Sequence, residues 1–339
     1  MELENKINLF LNEFLCFHHK RNNLLFDNLD IFLVLAYLFE DETKEFLENN
    51  KHRLNFDLLM TIDFKEKMDL IKSFYKEIEI DFNLDVVINN GVLDVVTTDT
   101  NEVVKNRDYK SLLSGVNNYI ANFKSIEVYN NGLVTDAVIL VHELSHYRNQ
   151  PNGGRNQINN LLTEALAFTE ELIFLDFLEK NGYFYESHIL KYMELDNFFK
   201  MLEILYPLLN LYLVYDKTGF ISKENYEFIF ENNENYEDCL EDFIKIIDKN
   251  PDEIFERIWY LVASVLSIYM YISYKDDKYY IEKIKKLNNN LNSLDINECL
   301  KLIGFDNDDG YLTKDNINKI IESFDKFKLE LVGVKEYKR

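Results

Sequence analysis

At 339 residues, with 47% hydrophobic side chains but only 3 Pro and 10 Gly, the chain is long enough for one large or two modest domains, is too apolar for disorder, and favours long helices over a many-turned β fold. A formal net charge of −23 repels nucleic-acid phosphates and anionic membranes, which excludes both as expected partners and fits solubility or, in a functional reading, basic substrates. Cys16, Cys239 and Cys299 are scattered and form no Cys-x-x-Cys pair, which excludes a disulfide framework or a cysteine zinc site.

The opening Met-Glu-Leu-Glu-Asn-Lys lacks the basic start and cleavage site of a secretory signal. With the cysteine usage, this predicts a reducing, cytoplasmic setting. Helical spacing of apolar residues covers 3–20, 28–48 and 55–79; Leu3, Ile7, Phe10, Phe14 and Phe17 make one face of the first helix. His18-His19 reads as a basic C-terminal turn of that helix. The apolar stretch 31–39 is too short to span a bilayer.

The texture changes near residue 84. Leu84-Asp-Val-Val-Ile88 and Val92-Leu-Asp-Val-Val96 flank Asn89-Asn90-Gly91, a pattern that predicts a β-hairpin. Ser125 to Tyr129 predicts a further strand, closed by Asn130-Asn131-Gly132. Helices are predicted at 136–149, with Thr135 as N-cap, and at 157–180, with Gly182 just beyond the end. Others follow at 189–214, 223–232, 236–248, 252–275, 279–290, 295–303 and 314–330. The stretch 258–274 is near the lower length for a membrane span. It carries Ser264, Ser267, Ser273 and four Tyr, and reads as a buried helix. Asp306 to Gly310 resembles a calcium loop, but the loop register puts Phe305 and Asn316 where carboxylates are required, so it reads as a polar loop.

The chemistry concentrates in His142-Glu143-Leu144-Ser145-His146. On a helix, positions i and i+4 share a face, so both imidazoles can reach one ion. Glu143 is rotated by about 100° from His142, which suits a base acting on water rather than a ligand. A catalytic zinc takes three protein ligands and keeps a position for water. No His-x-x-Gly-x-x-His continuation follows His146; Tyr147-Arg148-Asn149-Gln150 does. A Glu on the next helix is the other common solution. Glu164 has apolar neighbours on both sides; Glu170 and Glu171 are its rivals. Glu171 returns to the same face seven positions on, and is placed either to orient a ligand histidine or to form a solvated acidic pair with Glu170.

These segments resemble the oligoendopeptidase F group of the thimet oligopeptidase-like metallopeptidases. Glu127 to Asp136 running into His142-Glu-Leu-Ser-His146 is similar to that family's strand, loop and zinc helix. Leu162 to Glu171 is similar to its third-ligand helix, with Glu164 at the ligand position. Leu300-Lys-Leu-Ile-Gly-Phe-Asp306 with the helix to about 330 is similar to its C-terminal end. The resemblance covers roughly 110–339. Family members are typically much longer, and their link between the two zinc helices is longer. The family's Tyr-rich, Gly-containing helix near the substrate corresponds to Trp259 to Tyr269, where the Gly is missing; Tyr260 is the candidate oxyanion donor there.

The expectation is a mostly α, multi-helix zincin-type fold with a small antiparallel β element beside the zinc-binding helix. It divides into an N-terminal helical region with the hairpin over 1–110 and a catalytic region over 111–339. The expected activity is hydrolysis of short or unfolded peptides with one Zn2+ per chain. The ligands are His142, His146 and Glu164, the base is Glu143, and the peptide pairs along the strand at 125–129. The alternatives are a zinc hydrolase acting on a non-peptide amide or ester, and a non-catalytic relic acting as a binding protein.

Overall fold

The computed structural model describes residues 4–12, 60–97, 115–120, 123–149, 157–231, 245, 251–291, 293–305 and 313–332. The sequence readings at 28–48, at 236–248 apart from residue 245, and at His18-His19, Cys16, Cys239 and the Asp306 to Gly310 loop lie outside these residues. By chain contacts the protein divides into two compact units interleaved in sequence. One comprises Met1–Glu48, Asp196–Val262 and Phe305–Ile321; the other comprises Asn49–Leu195, Ala263–Gly304 and Glu322–Arg339.

The second unit holds the candidate site. Its helix α1 (Phe64–Glu77) starts where the Asp63 carboxylate accepts the Glu66 N–H at 2.8 Å. It buries Lys67, Met68, Ile71, Phe74 and Tyr75, a helical stripe. The Phe74 ring meets Phe174 edge-on at 5.0 Å, which seats α1 on α4 (Gln157–Lys180). Burying one such ring contributes about 2–3 kcal/mol.

The predicted hairpin does not form. Leu84–Asn89 is a short helix, α2, capped by the Asn83 side chain on the Val86 N–H. Leu84 and Val87 are buried, three apart, as one face of a helix requires. Leu93–Thr97 is strand β1 and pairs parallel with β3 (Phe123–Asn130), Leu93 opposite Ile126 and Thr97 opposite Asn130. β2 (Gly115–Ile120) pairs antiparallel with the other edge of β3. The β element is therefore a mixed three-stranded sheet in the order β1-β3-β2, not a purely antiparallel one. The strand predicted at 125–129 is real but central, with both hydrogen-bonding edges occupied. Its Ile126 and Val128 are buried.

The chain leaves β3 through a turn at Gly132 (φ 77°), where a left-handed conformation favours glycine. Asp136 organises this turn, accepting from the Asn131 N–H at 2.9 Å, the Asn131 side-chain amide at 3.0 Å and the Leu133 N–H at 3.1 Å. The buried Lys67 ammonium from α1 donates to Asp136 and to Asn130. Helix α3 (Thr135–Asn149) follows, starting at Thr135 itself, with Ala137 through Val141 and Leu144 all buried. Its first half, residues 135–141, is buried on every side, as in a core segment. β2 and β3 pack on α3 from one side and α4 from another.

Helix α5 (Phe184–Thr218) passes from the second unit into the first and bends by 47° between arms 184–203 and 205–215, ahead of Pro207. Proline removes an N–H and crowds the carbonyl four residues back, which accounts for the bend. No single described helix is long and apolar enough to cross a membrane; the two arms of α5 pass that test only as a bent pair. α6 (Lys223–Glu231), α7 (Pro251–Asp276), a 3-10 turn at Lys278–Tyr280, α8 (Ile281–Asn290), α9 (Ile296–Ile303) and α10 (Lys314–Val332) follow, and ahead of α1 the described residues 4–12 are helical, with Ile7, Phe10 and Leu11 buried. The apolar stretch at 258–274 is the middle of α7, and its Leu261 to Val265 segment is mostly buried. α9 carries a capping box between Asp295 and Glu298. Away from the site, Lys191, Asp176, Tyr271, Glu330 and Lys275 form a charge-balanced cluster: Lys191 meets Asp176 at 2.5 Å, the Tyr271 hydroxyl reaches both Asp176 and Glu330, and Lys275 meets Glu330 at 2.7 Å.

Candidate metal centre

The site is built from two helices of one unit, α3 and α4. His142 and His146 are one helical turn apart on α3, and their Nε2 atoms approach to 2.9 Å. Glu164, in the second turn of α4, brings Oε2 to 3.3 Å from His146 Nε2 and 3.6 Å from His142 Nε2. These three residues form the cluster of ligand atoms lying within 4.8 Å of one another among the described residues, and Glu143 is not a member. The side chains of His142 and Glu164 keep 15% and 20% of their exposure, so the face is reachable from solvent.

The donor set fits zinc. A triangle with sides 2.9, 3.3 and 3.6 Å has a circumradius of about 1.9 Å, the value required for three corners of a tetrahedron with bonds of about 2.0–2.1 Å. Two imidazole nitrogens facing one carboxylate oxygen also need a positive centre between them. Burial opposes protonation of His142, but the Glu171 and Glu164 carboxylates outweigh it and hold its pKa well above the ordinary histidine value. For Glu164 burial works upward, but hydrogen bonds from His142 and His146 prevail and hold the carboxyl well below the usual range. The same cation demand is met by a divalent ion with neutral imidazoles.

Glu171 and Glu170, the two rivals for third ligand, have other partners. Glu171 accepts from His142 Nδ1, which turns Nε2 toward the cluster. Glu170, buried to 1% exposure, accepts from the Arg148 guanidinium. The Phe168 ring packs edge-on against the His142 imidazole at 5.2 Å. Glu143 is buried at 5% exposure on the same helix as both histidines. Tyr260 lies on α7 in the other compact unit and is half-buried.

Sequence reasoning missed Glu194 and Arg148. Glu194, half-buried on α5, is pushed up to about 8 by burial and by the Glu171 carboxylate, against the pull of His142. Nothing local marks Glu194, which is 23 positions beyond Glu171. Arg148 had a signal: a guanidinium two residues past the motif, on a helix that opens with the apolar run Ala137 to Val141.

No family model matches the sequence, and no curated protein matches it. Solved structures do match in fold. A protein designated oligoendopeptidase F from Bacillus anthracis strain Ames aligns at 14% identity with a TM-score of 0.58, over 88% of this chain and 55% of that one. A PZ peptidase A with an inhibitor aligns at 12% identity and 0.55, over 82% and 50%. Another oligoendopeptidase F aligns at 12% identity and 0.53, over 82% and 50%. The chain spans about half the length of the structures it matches. It shares their fold, at low identity and broad coverage.

Proposed function

We propose that the protein is a zinc-dependent peptidase acting on short or unfolded peptides, with His142, His146 and Glu164 as ligands and Glu143 as general base. The observation that carries this reading is the convergence of His142 Nε2, His146 Nε2 and Glu164 Oε2 on one point, beside a buried glutamate that stays out of the triad. The fold shared with solved oligopeptidases supports it.

When bound, zinc supplies Lewis acidity, lowering the pKa of a coordinated water to about 7 and polarising a carbonyl oxygen. The chain's own groups do the rest. Glu171 holds the His142 ring by Nδ1 and so fixes which nitrogen faces the ion. The Glu143 carboxylate takes the proton from the attacking water and passes it to the leaving amine nitrogen. The peptide backbone pairs with the sheet at β2: β3 is enclosed, whereas the described partner of β2 is β3 alone, and β2 packs on α3.

Glu143→Gln tests the reading. The substitution keeps shape and removes basicity, so zinc content is expected to stay near one per chain while kcat on unstructured peptides falls by about 10²–10⁴-fold or more. A variant that loses its zinc makes Glu143 a ligand or structural. A variant that keeps zinc and most of its activity moves the base elsewhere.

A further inference from the structure

Glu170 and Glu171 are adjacent on α4, yet each grips a different residue of α3. Glu171 takes His142 Nδ1, and Glu170 takes Arg148. Those two grips are six residues apart on α3, about 9 Å along its axis, with His146 between them. Held at one point, a helix can still rotate about the contact and slide; held at two points flanking a ligand, it can do neither. The second grip is walled in. Glu170 is 1% exposed and Arg148 is 9% exposed. The guanidinium lies 5.1 Å from the Tyr75 ring centroid and 5.7 Å from that of Phe82, so α1 and the segment after it clasp the same group. The Tyr75 and Phe82 rings also touch each other, at 5.3 Å.

Resting on the zinc reading above, we infer that the Arg148–Glu170 pair is a positioning brace for the metal site, setting the register of the histidine helix against the glutamate helix so that Glu164 meets His142 and His146. Arg148 touches no ligand atom; it acts through the helix that carries His146. Arginine suits the task because one planar guanidinium can give an N–H to the Glu170 carboxylate while lying against the Tyr75 and Phe82 rings, a combination the compact lysine ammonium reproduces less well.

The test measures zinc affinity of the metal-free protein by competition with a chromophoric chelator, with the visible spectrum of the cobalt(II)-substituted protein as a second readout of ligand geometry. Two variants are compared with wild type. Arg148→Lys keeps the charge, so Glu170 is not left alone, but loses the planar guanidinium that lies against the Tyr75 and Phe82 rings. The double variant Arg148→Met with Glu170→Leu replaces the pair by apolar volume, an exchange that buried pairs often tolerate without loss of fold. Both are expected to bind zinc about 10–100-fold more weakly, the cost typical of outer-shell partners. Their cobalt spectra are expected to change, while circular dichroism of the metal-free proteins matches wild type. Wild-type affinity and spectrum in Arg148→Lys and in the double variant overturn the brace; should the double variant not fold, Arg148→Lys decides alone. Failure of wild type itself to bind zinc, with His142→Ala indistinguishable from it, overturns the metal reading, and the brace with it.

Discussion

Glu164 and Glu171 lie seven residues apart on α4 and face His142 from different sides: Glu164 approaches Nε2, and Glu171 holds Nδ1. A ligand and its orienting partner differ in what their removal costs. Glu164→Ala is expected to abolish tight zinc binding, while Glu171→Ala weakens it by about 10–100-fold. Equilibrium dialysis of the variants checks the order, and the reverse order would exchange their roles. Glu194 gives a prediction in pH. Its carboxyl is raised from 4.5 to about 8 in the folded protein, so the folded state keeps a proton that the unfolded chain has released. Stability of the metal-free protein therefore falls as pH rises from about 4.5 to about 8. Glu194→Gln is expected to make that decline shallower in urea melts at pH 5 and pH 8; an unchanged slope would remove Glu194 from this role. At this scale the His-Glu-x-x-His core was legible because its geometry is local, set by one helical turn. Arg148 with Glu170 and Glu171 with Glu194 were not, because no short-range rule links residues 22 or 23 positions apart on different helices.

At the scale of elements, one tetrapeptide occurs twice with two outcomes. Leu84-Asp-Val-Val87 is in helix α2, and Leu93-Asp-Val-Val96 is in strand β1. Valine-rich composition favoured a strand at both places. Asn83 caps the first copy, while β3 offers the second a parallel ladder beginning at Leu93 and Ile126. Tertiary pairing, not composition, separates them. The helices α6 to α10 follow their apolar period and lie close to the predicted limits, as do α3 and α4, while α5 begins five residues before and ends four residues after its predicted range. What positions α3 was hidden in the sequence: the Lys67–Asp136 pair joins residues 69 positions apart, on α1 and at the start of α3. Lys67→Met leaves the Asp136 carboxylate buried without its cation and is expected to cost about 3 kcal/mol or more in urea unfolding. A loss below about 1 kcal/mol would mean that the backbone donors of Asn131 and Leu133 suffice to hold the turn.

For the whole molecule, the sequence division at about residue 110 and the two compact units describe different things. The units interleave, with α5, α7 and α10 each contributing to both. Contacts between segments distant in sequence leave no mark in local composition. The three candidate ligands, Glu143, the sheet and the brace all fall within one unit, so the proposed metal chemistry needs only that unit's internal geometry. The most direct test of the central claim is reconstitution. The chelated, metal-free protein is titrated with zinc while cleavage of a mixed library of unstructured peptides is followed by mass spectrometry. Cleavage is expected to be absent without metal and to rise to a plateau at one zinc per chain. Peptide cleavage that persists undiminished in the metal-free protein, or stoichiometric zinc binding with every peptide left intact, would contradict a zinc peptidase.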